Sequence, residues 1–382
     1  MVDDLDALVT GWGAAEAARA MGPGRSFGLV VGDRPGVTLR TADGGVVLDP
    51  GVEGAEVVVA LDAAAFADLR AERMSIFGLL YAGLLTVERG EFDRVAAWEP
   101  ALQALLYDRP VYDRDTADVV ALGDATCSYA LGDDLREMAA TLERVGFLHV
   151  RDVFDPAEVA ALTDEVERLR GLASPEDRRS WWATAADGEQ VCCRLTFMNE
   201  RSGAMAALAD DPRLARLASL ADPELRPAPT RNDGISAVLK HPAGTSGLSD
   251  LPWHRDCGLG GHPLLCPGVN IGVQLDRASA ETGQLLFLPG SHRHAGPVGD
   301  PEVGGHATVA IDAEPGDVTV HFGHVLHAAP PPTGPAGARR TVYVGFSRPE
   351  LFAQIPEGHA YNDVIYAGGD GHVRDAAEQS LA

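Results

Sequence analysis

The sequence predicts a small α+β unit followed by a double-sheet β barrel, or jelly roll. The first observation is a change of texture along the chain. Residues 1 to about 110 mix strand-like and helical segments, whereas from Gly234 onward short strands alternate with Gly/Pro turns. The second is the length of 382 residues, which favours two domains. The third is that eight of the twelve histidines fall between His254 and His327, which indicates a metal site in the barrel.

The composition argues against several classes of partner and location. A formal net charge of -25 disfavours nucleic acid or an anionic membrane, since both are bound through lysine and arginine. Five cysteines without regular spacing do not resemble a disulfide framework and favour a reducing, cytoplasmic setting. Residues 1–6 lack the basic start of a signal peptide, and the most apolar stretch, 76–87, is too short to cross a bilayer.

The first unit is predicted from short apolar runs separated by Gly, Asp and Pro. Strands are expected at 27–31, 37–40, 45–48, 55–61 and 84–90. Asp62 is placed to cap a helix that carries Phe66 and Leu69, and 76–80 is a second helical piece. A closing helix carries apolar residues at helical spacing, namely Val95, Trp98, Leu102 and Leu105.

This order of elements, over residues 1–110, resembles a sterol carrier protein domain. The resemblance lies in the strand 56–61, the acidic start of the next helix, the strand between Gly83 and Gly90, and the final amphipathic helix. Such domains hold apolar ligands in a tunnel. The side chains that would line it here are Phe66, Phe77, Leu80 and Trp98. The alternative is that these side chains simply fill the core.

Residues 111–133 are polar and rich in Asp, and we interpret them as a linker. The second unit begins near Asp134 and runs to residue 382. A helix at 135–145 and a strand at 146–150 are expected to precede a helix that Asp155 caps. Next come a charged loop at 171–190, a strand at 191–198 and a helix at 203–220. The candidate barrel strands are 235–240, 269–275, 284–288, 308–311, 317–322 and 341–346.

His254 and Asp256 are separated by one residue on an extended segment, so their side chains point to the same face. With one further histidine they can occupy three neighbouring positions of an octahedral metal. This is the facial triad of non-haem Fe(II) oxygenases, which leaves room for a bidentate co-substrate and O2. The candidates for the further histidine are His321, His324 and His327.

Several ordered motifs then resemble the phytanoyl-CoA dioxygenase family. They are Gly-Phe-Leu and Asp-Pro-x-Glu within 146–158, Trp-His-x-Asp at 253–256, and Gly-x-Leu-x-Phe-Leu-Pro-Gly-Ser-His at 283–292, followed by Pro-Gly-Asp, Leu-His and an arginine that opens a strand. The resemblance covers residues 134–350. It implies a double-stranded β-helix (jelly-roll, cupin-like) barrel with flanking helices that uses Fe(II), 2-oxoglutarate and O2.

The resemblance implies that His254, Asp256 and His327 are the iron ligands. It also implies that Arg339 pairs with the far carboxylate of 2-oxoglutarate, although the adjacent Arg340 is an alternative. The family usually has Asn with Ser or Thr after the last histidine, whereas this chain has Pro-Pro-Pro-Thr at 330–333. Related halogenases have a small residue where this chain has the carboxylate, so hydroxylation, desaturation or cyclisation is favoured.

Further residues are candidates for co-substrate contacts. Asn270 and Gln274 lie on the polar face of a barrel strand, which faces either the co-substrate or water at a sheet edge. Lys240 and Thr341 are also possible contacts, and Trp253 either packs beside the iron site or anchors its strand.

Outside this set, Arg194, Asn199 and Arg231 could reach a substrate. His321 and His324 are interpreted as outer residues of the metal site or as surface residues.

The sequence therefore predicts an Fe(II)- and 2-oxoglutarate-dependent dioxygenase. We expect it to hydroxylate an unactivated C–H bond of a small secondary metabolite. The resemblance of the first unit to a lipid carrier favours an apolar or carrier-delivered substrate. The alternative is a non-catalytic apolar-ligand-binding protein with a degenerate barrel, which would not form succinate from 2-oxoglutarate. A cupin-type metal enzyme without 2-oxoglutarate leaves the Arg339 segment unexplained.

Overall fold

A computed structural model describes residues 9–113, 126–185, 187–241, 251–259, 263–264, 266–334, 338–355, 358–367 and 371–372. These residues form one five-stranded sheet near the N-terminus and two further sheets, of nine and four strands, in the remainder of the chain. The five-stranded sheet lies within residues 26–89, and the strands of the other two sheets all lie beyond residue 127. Most of the predicted linker, at 114–125, lies outside the described residues.

The N-terminal unit is a sheet covered by helices. Its strands are β1 (Ser26–Val31), β2 (Val37–Ala42), β3 (Gly45–Pro50), β4 (Val57–Leu61) and β5 (Leu85–Arg89), in the order β3-β2-β1-β4-β5. Its helices are α1 (Trp12–Met21), α2 (Ala63–Arg70), α3 (Ile76–Tyr81), α4 (Phe92–Ala96) and α5 (Glu99–Tyr107). Only β1 and β4 pair in parallel. Strand β4 lies between β1 and β5, and four of its five residues are buried, which explains its run of apolar residues.

The predicted cap is present, because the Asp62 side chain accepts a hydrogen bond from the Ala65 N–H. The prediction of a single closing helix was wrong, since α4 and α5 are separate helices that meet at Trp98. Trp98 is buried in the core, where its ring lies 5.4 Å from that of Phe27. Leu80 is buried in the same core. Helix α1 has no counterpart among the predicted elements.

The second part contains the barrel and its flanking helices. Its helices are α6 (Leu135–Val145), α7 (Pro156–Arg170), α8 (Gly203–Ala207), α9 (Pro212–Ala218), α10 (Pro349–Phe352) and α11 (Tyr361–Ala367), with 3-10 turns at Met198–Glu200, Leu208–Asp210 and Ser291–Arg293. Its strands are β6 (Ser128–Ala130), β7 (Phe147–Arg151), β8 (Ser180–Thr184), β9 (Gln190–Leu195), β10 (Arg226–Pro227), β11 (Ser236–Lys240), β12 (Leu251–His254), β13 (Val269–Gln274), β14 (Leu285–Phe287), β15 (Val309–Ile311), β16 (Val318–Phe322), β17 (His327–Ala329) and β18 (Arg339–Ser347).

These strands form a jelly-roll core. The large sheet has the order β6-β7-β16-β13-β18-β11-β9-β8, with β10 added beside β18, and the small sheet has the order β12-β17-β14-β15. The sheets face each other, since the ring of Phe287 in the small sheet stacks 4.3 Å from that of Phe147 in the large sheet. Each predicted barrel strand is present within a few residues of its expected bounds.

Side-chain alternation gives the large sheet an apolar outer face and a polar inner face. On β13, Ile271 and Val273 pack in the same core as Leu162 and Val166 of α7. The intervening residues face the barrel interior, so Asn270 and Gln274 lie on the polar inner face. This alternation places polar side chains where a site can form.

Two predicted elements of the second part were wrong. The segment 171–190 contains strand β8, whose Trp181 is buried against α11 in the C-terminal segment. Residues 203–220 form three short helical pieces because Asp211 and Pro212 start a new helix, with the Asp211 side chain accepting from the Arg213 N–H. By contrast, α7 has the predicted capping box between Asp155 and Glu158.

The N-terminal unit contacts the segment that follows β12. The backbone N–H and the hydroxyl of Ser75 both donate to the carbonyl oxygen of Gly258, at 2.9 and 3.0 Å. The same hydroxyl caps α3 by accepting from the Gly78 N–H at 2.8 Å. A short contact surface, made by the start of α3 and Gly258, therefore joins the two parts of the chain.

We expect Gly78→Ala to destabilise this contact. A Cβ at position 78 would lie 2.0 Å from the Gly258 carbonyl oxygen, so α3 and the Gly258 segment would have to separate. Overpacking of this kind costs about 1–3 kcal/mol in the free energy of unfolding, which urea denaturation measures. Gly54→Ala is the matched control, because nothing lies within 4 Å of a Cβ there. Equal stabilities of the two variants would contradict the expectation.

Among the described residues, no helix combines the length and apolar character needed to cross a membrane.

Candidate metal centre and pocket

Three side chains from two neighbouring strands converge at the inner side of the small sheet. His254 ends β12, Asp256 follows it, and His327 begins β17. His254 and His327 are directly opposed in the antiparallel pair, which places both side chains on one face. One possible ligand atom from each of the three residues lies within 4.8 Å of the others. The structure thus brings the three predicted ligands together.

Backbone carbonyls orient both imidazoles. His254 Nδ1 lies 2.7 Å from the Pro252 carbonyl oxygen, and His327 Nδ1 lies 3.0 Å from that of Val325. A hydrogen bond donated by Nδ1 leaves Nε2 without a proton, which is the arrangement of a metal-binding histidine. The two Nε2 atoms point to Asp256, at 3.4 Å from its Oδ1 for His254 and 3.9 Å from its Oδ2 for His327.

The protonation states also suit a cation. Burial alone raises the pKa of the Asp256 carboxyl, but the neighbouring His327 and His254 hold that pKa well below its usual value. Burial, together with the charge of His254, lowers the pKa of His327 to about 3. At neutral pH the site therefore offers a carboxylate and a neutral imidazole.

Asn270 and His321 surround the Asp256 carboxylate from the large sheet. Asn270 Nδ2 donates to Asp256 Oδ2 at 2.6 Å. His321 lies opposite Asn270 in the β13–β16 ladder, and its Nε2 is 3.7 Å from the same oxygen. Asn270, predicted as a co-substrate contact, thus holds one oxygen of a candidate metal ligand and leaves Oδ1 for the cation. His321 is 1% exposed and is not a surface residue.

The two adjacent arginines point in opposite directions. Arg339 is buried on the inner face, where its NH groups donate to Thr341 Oγ1 at 2.6 Å, Gln274 Oε1 at 3.4 Å and the Gly283 carbonyl at 2.8 Å. Burial lowers its pKa, and the electrostatic influence of the nearby Tyr343 acts in the opposite direction. Among the described residues, no carboxylate pairs with it, and its Nε has no hydrogen-bond acceptor.

Arg340 lies on the outer face, where its guanidinium pairs with two carboxylates. It makes two hydrogen bonds to the Asp276 carboxylate, at 2.6 and 2.7 Å, and one to Glu167 of α7 at 3.0 Å. These partners raise its pKa. Arg340 therefore ties the barrel to α7, and of the two adjacent arginines Arg339 is the one on the inner face.

The other predicted contacts have structural partners. Lys240 is buried opposite Arg339 in the β11–β18 ladder, and its ammonium group donates to the Ala329 carbonyl. Gln274 and Thr341 hydrogen-bond each other at 2.9 Å beside Arg339. Trp253 is half-buried against Tyr112 and its neighbours, which favours the anchoring alternative.

A pocket opens from the three candidate ligands toward the loop that precedes β11. Its lining beyond these ligands comprises Arg194, Ala228, Arg231, Asn232, Asp233, Gly234, Ser236, Val238, Leu251, Asn270, Leu285, His321, Tyr343, Gly345, Ser347, Phe352 and Tyr361. Tyr343 reaches the pocket from β18 and also contacts Arg339, so it connects the two parts of the site. Gly272 makes room for it, since a Cβ there would lie 2.8 Å from the Tyr343 ring.

Tyr361 in α11 is a lining residue that sequence reasoning missed. Its hydroxyl donates to the backbone carbonyl of Asp256. No motif surrounds Tyr361, so its position follows only from the fold. Of the three residues suggested as substrate contacts, Arg194 and Arg231 line the pocket, whereas Asn199 holds the neighbouring loop.

The comparisons with known proteins agree with this geometry. Residues 142–341 match the family described as phytanoyl-CoA dioxygenase (PhyH). Over 180 residues the chain is 29% identical to the ectoine dioxygenase of Bordetella parapertussis, a match that covers 46% of this chain and 54% of that protein. The chain thus spans about half the length of this curated relative.

Two crystal structures show a weaker likeness. AviO1 from Streptomyces viridochromogenes is 25% identical with a TM-score of 0.47, over 57% of this chain and 96% of that one. EctD from S. alaskensis, solved with bound Fe, is 22% identical with a TM-score of 0.46, over 58% of this chain and 83% of that one.

Proposed function

The chain belongs to the phytanoyl-CoA dioxygenase (PhyH) family, and on this premise we propose that it is an Fe(II)- and 2-oxoglutarate-dependent dioxygenase that oxidises an unactivated C–H bond of a small molecule. The observation that carries the proposal is the convergence of His254, Asp256 and His327, whose ligand atoms lie within 4.8 Å of one another. The carboxylate in this set favours hydroxylation, desaturation or cyclisation.

The donor set fits iron. Two imidazole nitrogens and one carboxylate oxygen, with the remaining positions open, are the ligands of non-haem Fe(II) oxygenases. The hydrogen bond from Asn270 occupies Asp256 Oδ2, so that carboxylate is oriented to bind through Oδ1. The carbonyls of Pro252 and Val325 fix the two imidazoles. These hydrogen bonds hold the three candidate ligands in defined orientations.

Arg339 fits the far carboxylate of 2-oxoglutarate. Its guanidinium is buried, and among the described residues no carboxylate balances its charge. An unpaired buried charge is costly, and a dicarboxylate would provide the missing partner. Thr341 and Gln274 hold the guanidinium in place. When bound, Fe(II) and 2-oxoglutarate supply, with O2, the oxidant for the C–H bond.

Anaerobic titration with Fe(II) and 2-oxoglutarate tests the proposal. We expect a weak visible charge-transfer band that saturates at one metal per chain, because a keto acid chelating Fe(II) absorbs in this range. Succinate, which lacks the keto group, should produce no band and serves as the control. Absence of the band in a protein whose circular dichroism shows it to be folded would reject the cofactor assignment.

We also propose that residues 1–110 form a sterol-carrier-like domain, 111–133 a linker and 134–382 the oxygenase domain. Residues 1–110 supply nearly all of one separate hydrophobic core, which supports this division. Trp98 and Leu80 pack inside that core, which favours the core-filling alternative over a ligand tunnel.

A reducing, cytoplasmic location is consistent with the cysteines. None of the five, all of which lie within the described residues, forms a disulfide, and the sulfur atoms of Cys257 and Cys266 lie 3.5 Å apart.

A further inference from the structure

The outer half of the pocket contains charged groups that metal and 2-oxoglutarate binding does not use. Arg194 and Asp233 form one ion pair, in which Arg194 Nε donates to Asp233 Oδ2 at 2.6 Å. A second arginine, Arg231, lines the same region. Two guanidinium groups thus face one carboxylate, which leaves this half of the pocket with one excess positive charge.

Arg231 is the cation that carries this excess. Arg194 is committed, since it also donates to Ser236 Oγ at 3.2 Å and lies 4.8 Å over the Trp181 ring. Within the described part of the chain, the Arg231 side chain has no ion pair or hydrogen bond. The guanidinium lies over the Phe352 ring, whose centroid is 5.8 Å from the guanidinium carbon. At that distance a cation–π contact is weak and leaves all the N–H donors available.

The loop that carries Arg231 is held in a fixed conformation. Its backbone N–H groups and carbonyls bond to neighbouring elements, for example Ala228 N–H to the Gly345 carbonyl at 3.0 Å. Asn199 bridges the loop by donating to the Pro229 carbonyl and accepting from the Ile235 N–H, both at 3.0 Å. Gly234 adopts a φ of +65°, and a Cβ there would lie 2.8 Å from the Phe197 ring. A rigid loop reduces the entropy that a ligand must overcome on binding.

A buried polar atom without a partner also faces the pocket. Ser347, another lining residue, is 2% exposed and its hydroxyl has no hydrogen-bond partner among the described residues. Buried polar groups are normally satisfied, so unpaired ones in a pocket indicate a polar ligand. This polar lining argues against a wholly apolar substrate, which the resemblance of residues 1–110 to a sterol carrier protein domain had favoured.

We propose that Arg231 binds an anionic oxygen group of the substrate, a carboxylate or a phosphate, while the rest of the substrate extends toward His254, Asp256 and His327. The inference rests on the proposed function and specifies its substrate class. Arg231 is thereby a specificity-determining residue.

Fluorine NMR relaxation with matched probes tests the proposal. The full chain, loaded with Co(II) and saturated with 2-oxoglutarate so that Arg339 is occupied, is titrated with trifluoroacetate and, separately, with trifluoroacetamide. We expect stronger line broadening of the acid than of the amide. In Arg231→Gln the acid should bind about fivefold more weakly, as expected for one partly exposed charge pair. Difluoromethylphosphonate provides the corresponding phosphate probe.

Arg226→Gln is the matched control, because Arg226 is an exposed arginine that does not line the pocket. This variant should keep the preference for the anionic probes. Equal broadening of acid and amide by the unmodified protein, or an unchanged preference in Arg231→Gln, overturns the proposal. Absence of the Fe(II) and 2-oxoglutarate band would instead reject the proposed function, so the two failures are distinguishable.

Discussion

The His327→Ala protein is expected to lose at least about 100-fold in affinity for Fe(II), and with it the formation of succinate. The loss of outer partners of metal ligands already costs about 10–100-fold in affinity, so the loss of a ligand costs more. His327 is also the one candidate from its segment that reaches the ligand group. Anaerobic Fe(II) titration, followed by the visible band with 2-oxoglutarate, measures the change.

His324→Gln is the control for this variant. His324 lies three residues earlier, and its ring is near Phe322 and His292 and outside the ligand group. We expect its Fe(II) affinity to remain within about twofold of the unmodified protein, since no ligand contact is changed. If the two variants lost Fe(II) equally while both remained folded, the assignment of His327 would be wrong.

Arg339→Leu is expected to raise the Kd for 2-oxoglutarate by about 30-fold or more. Removal of one partner of a buried charge pair costs about 2 kcal/mol or more, and each 1.4 kcal/mol is a factor of ten. The side chain is buried, and Thr341 and Gln274 fix its direction. Titration of 2-oxoglutarate into the Fe(II)-loaded protein, monitored by the visible band, measures the Kd.

Arg340→Leu separates this effect from a general loss of positive charge. It removes the neighbouring guanidinium, whose partners are Asp276 and Glu167 on the outer face. We expect a loss of about 1 kcal/mol in the free energy of unfolding, because the pairs are partly exposed. The Kd for 2-oxoglutarate should stay unchanged. A larger rise of the Kd in Arg340→Leu than in Arg339→Leu would reverse the assignment.

The N-terminal unit contacts the segment that contains the candidate ligand Asp256. Ser75 bonds the Gly258 carbonyl, two residues after Asp256. Tyr361 bonds the Asp256 carbonyl from the C-terminal segment. The backbone at Asp256 and Gly258 is therefore held by the C-terminal segment and by the N-terminal unit, and Gly78→Ala would disturb the second of these contacts.

Local patterns predicted most of the elements. Alternation and turn residues located the strands of both sheets, and the sequence around Asp155 located the start of α7 with its capping box. The strand at Ser180–Thr184, which pairs with the following strand Gln190–Leu195, was missed because its flanks are charged. Tyr361 and Arg231 became pocket residues through contacts between distant parts of the chain, which no local pattern encodes.

The sequence by itself determined the kind of site. The His-x-Asp spacing, the later histidines and the arginine pair specify the donors and the cation, because side-chain alternation along a strand is a local property. Only the tertiary structure decided which of these residues meet. His327 joins His254 because β17 pairs with β12, whereas His321 remains on the opposite sheet beside Asn270. Arg339 faces inward and Arg340 outward because the register of β18 with β11 and β13 fixes one face toward the interior. Strand pairing over long separations sets these choices, since it alone determines which side chains share the barrel interior.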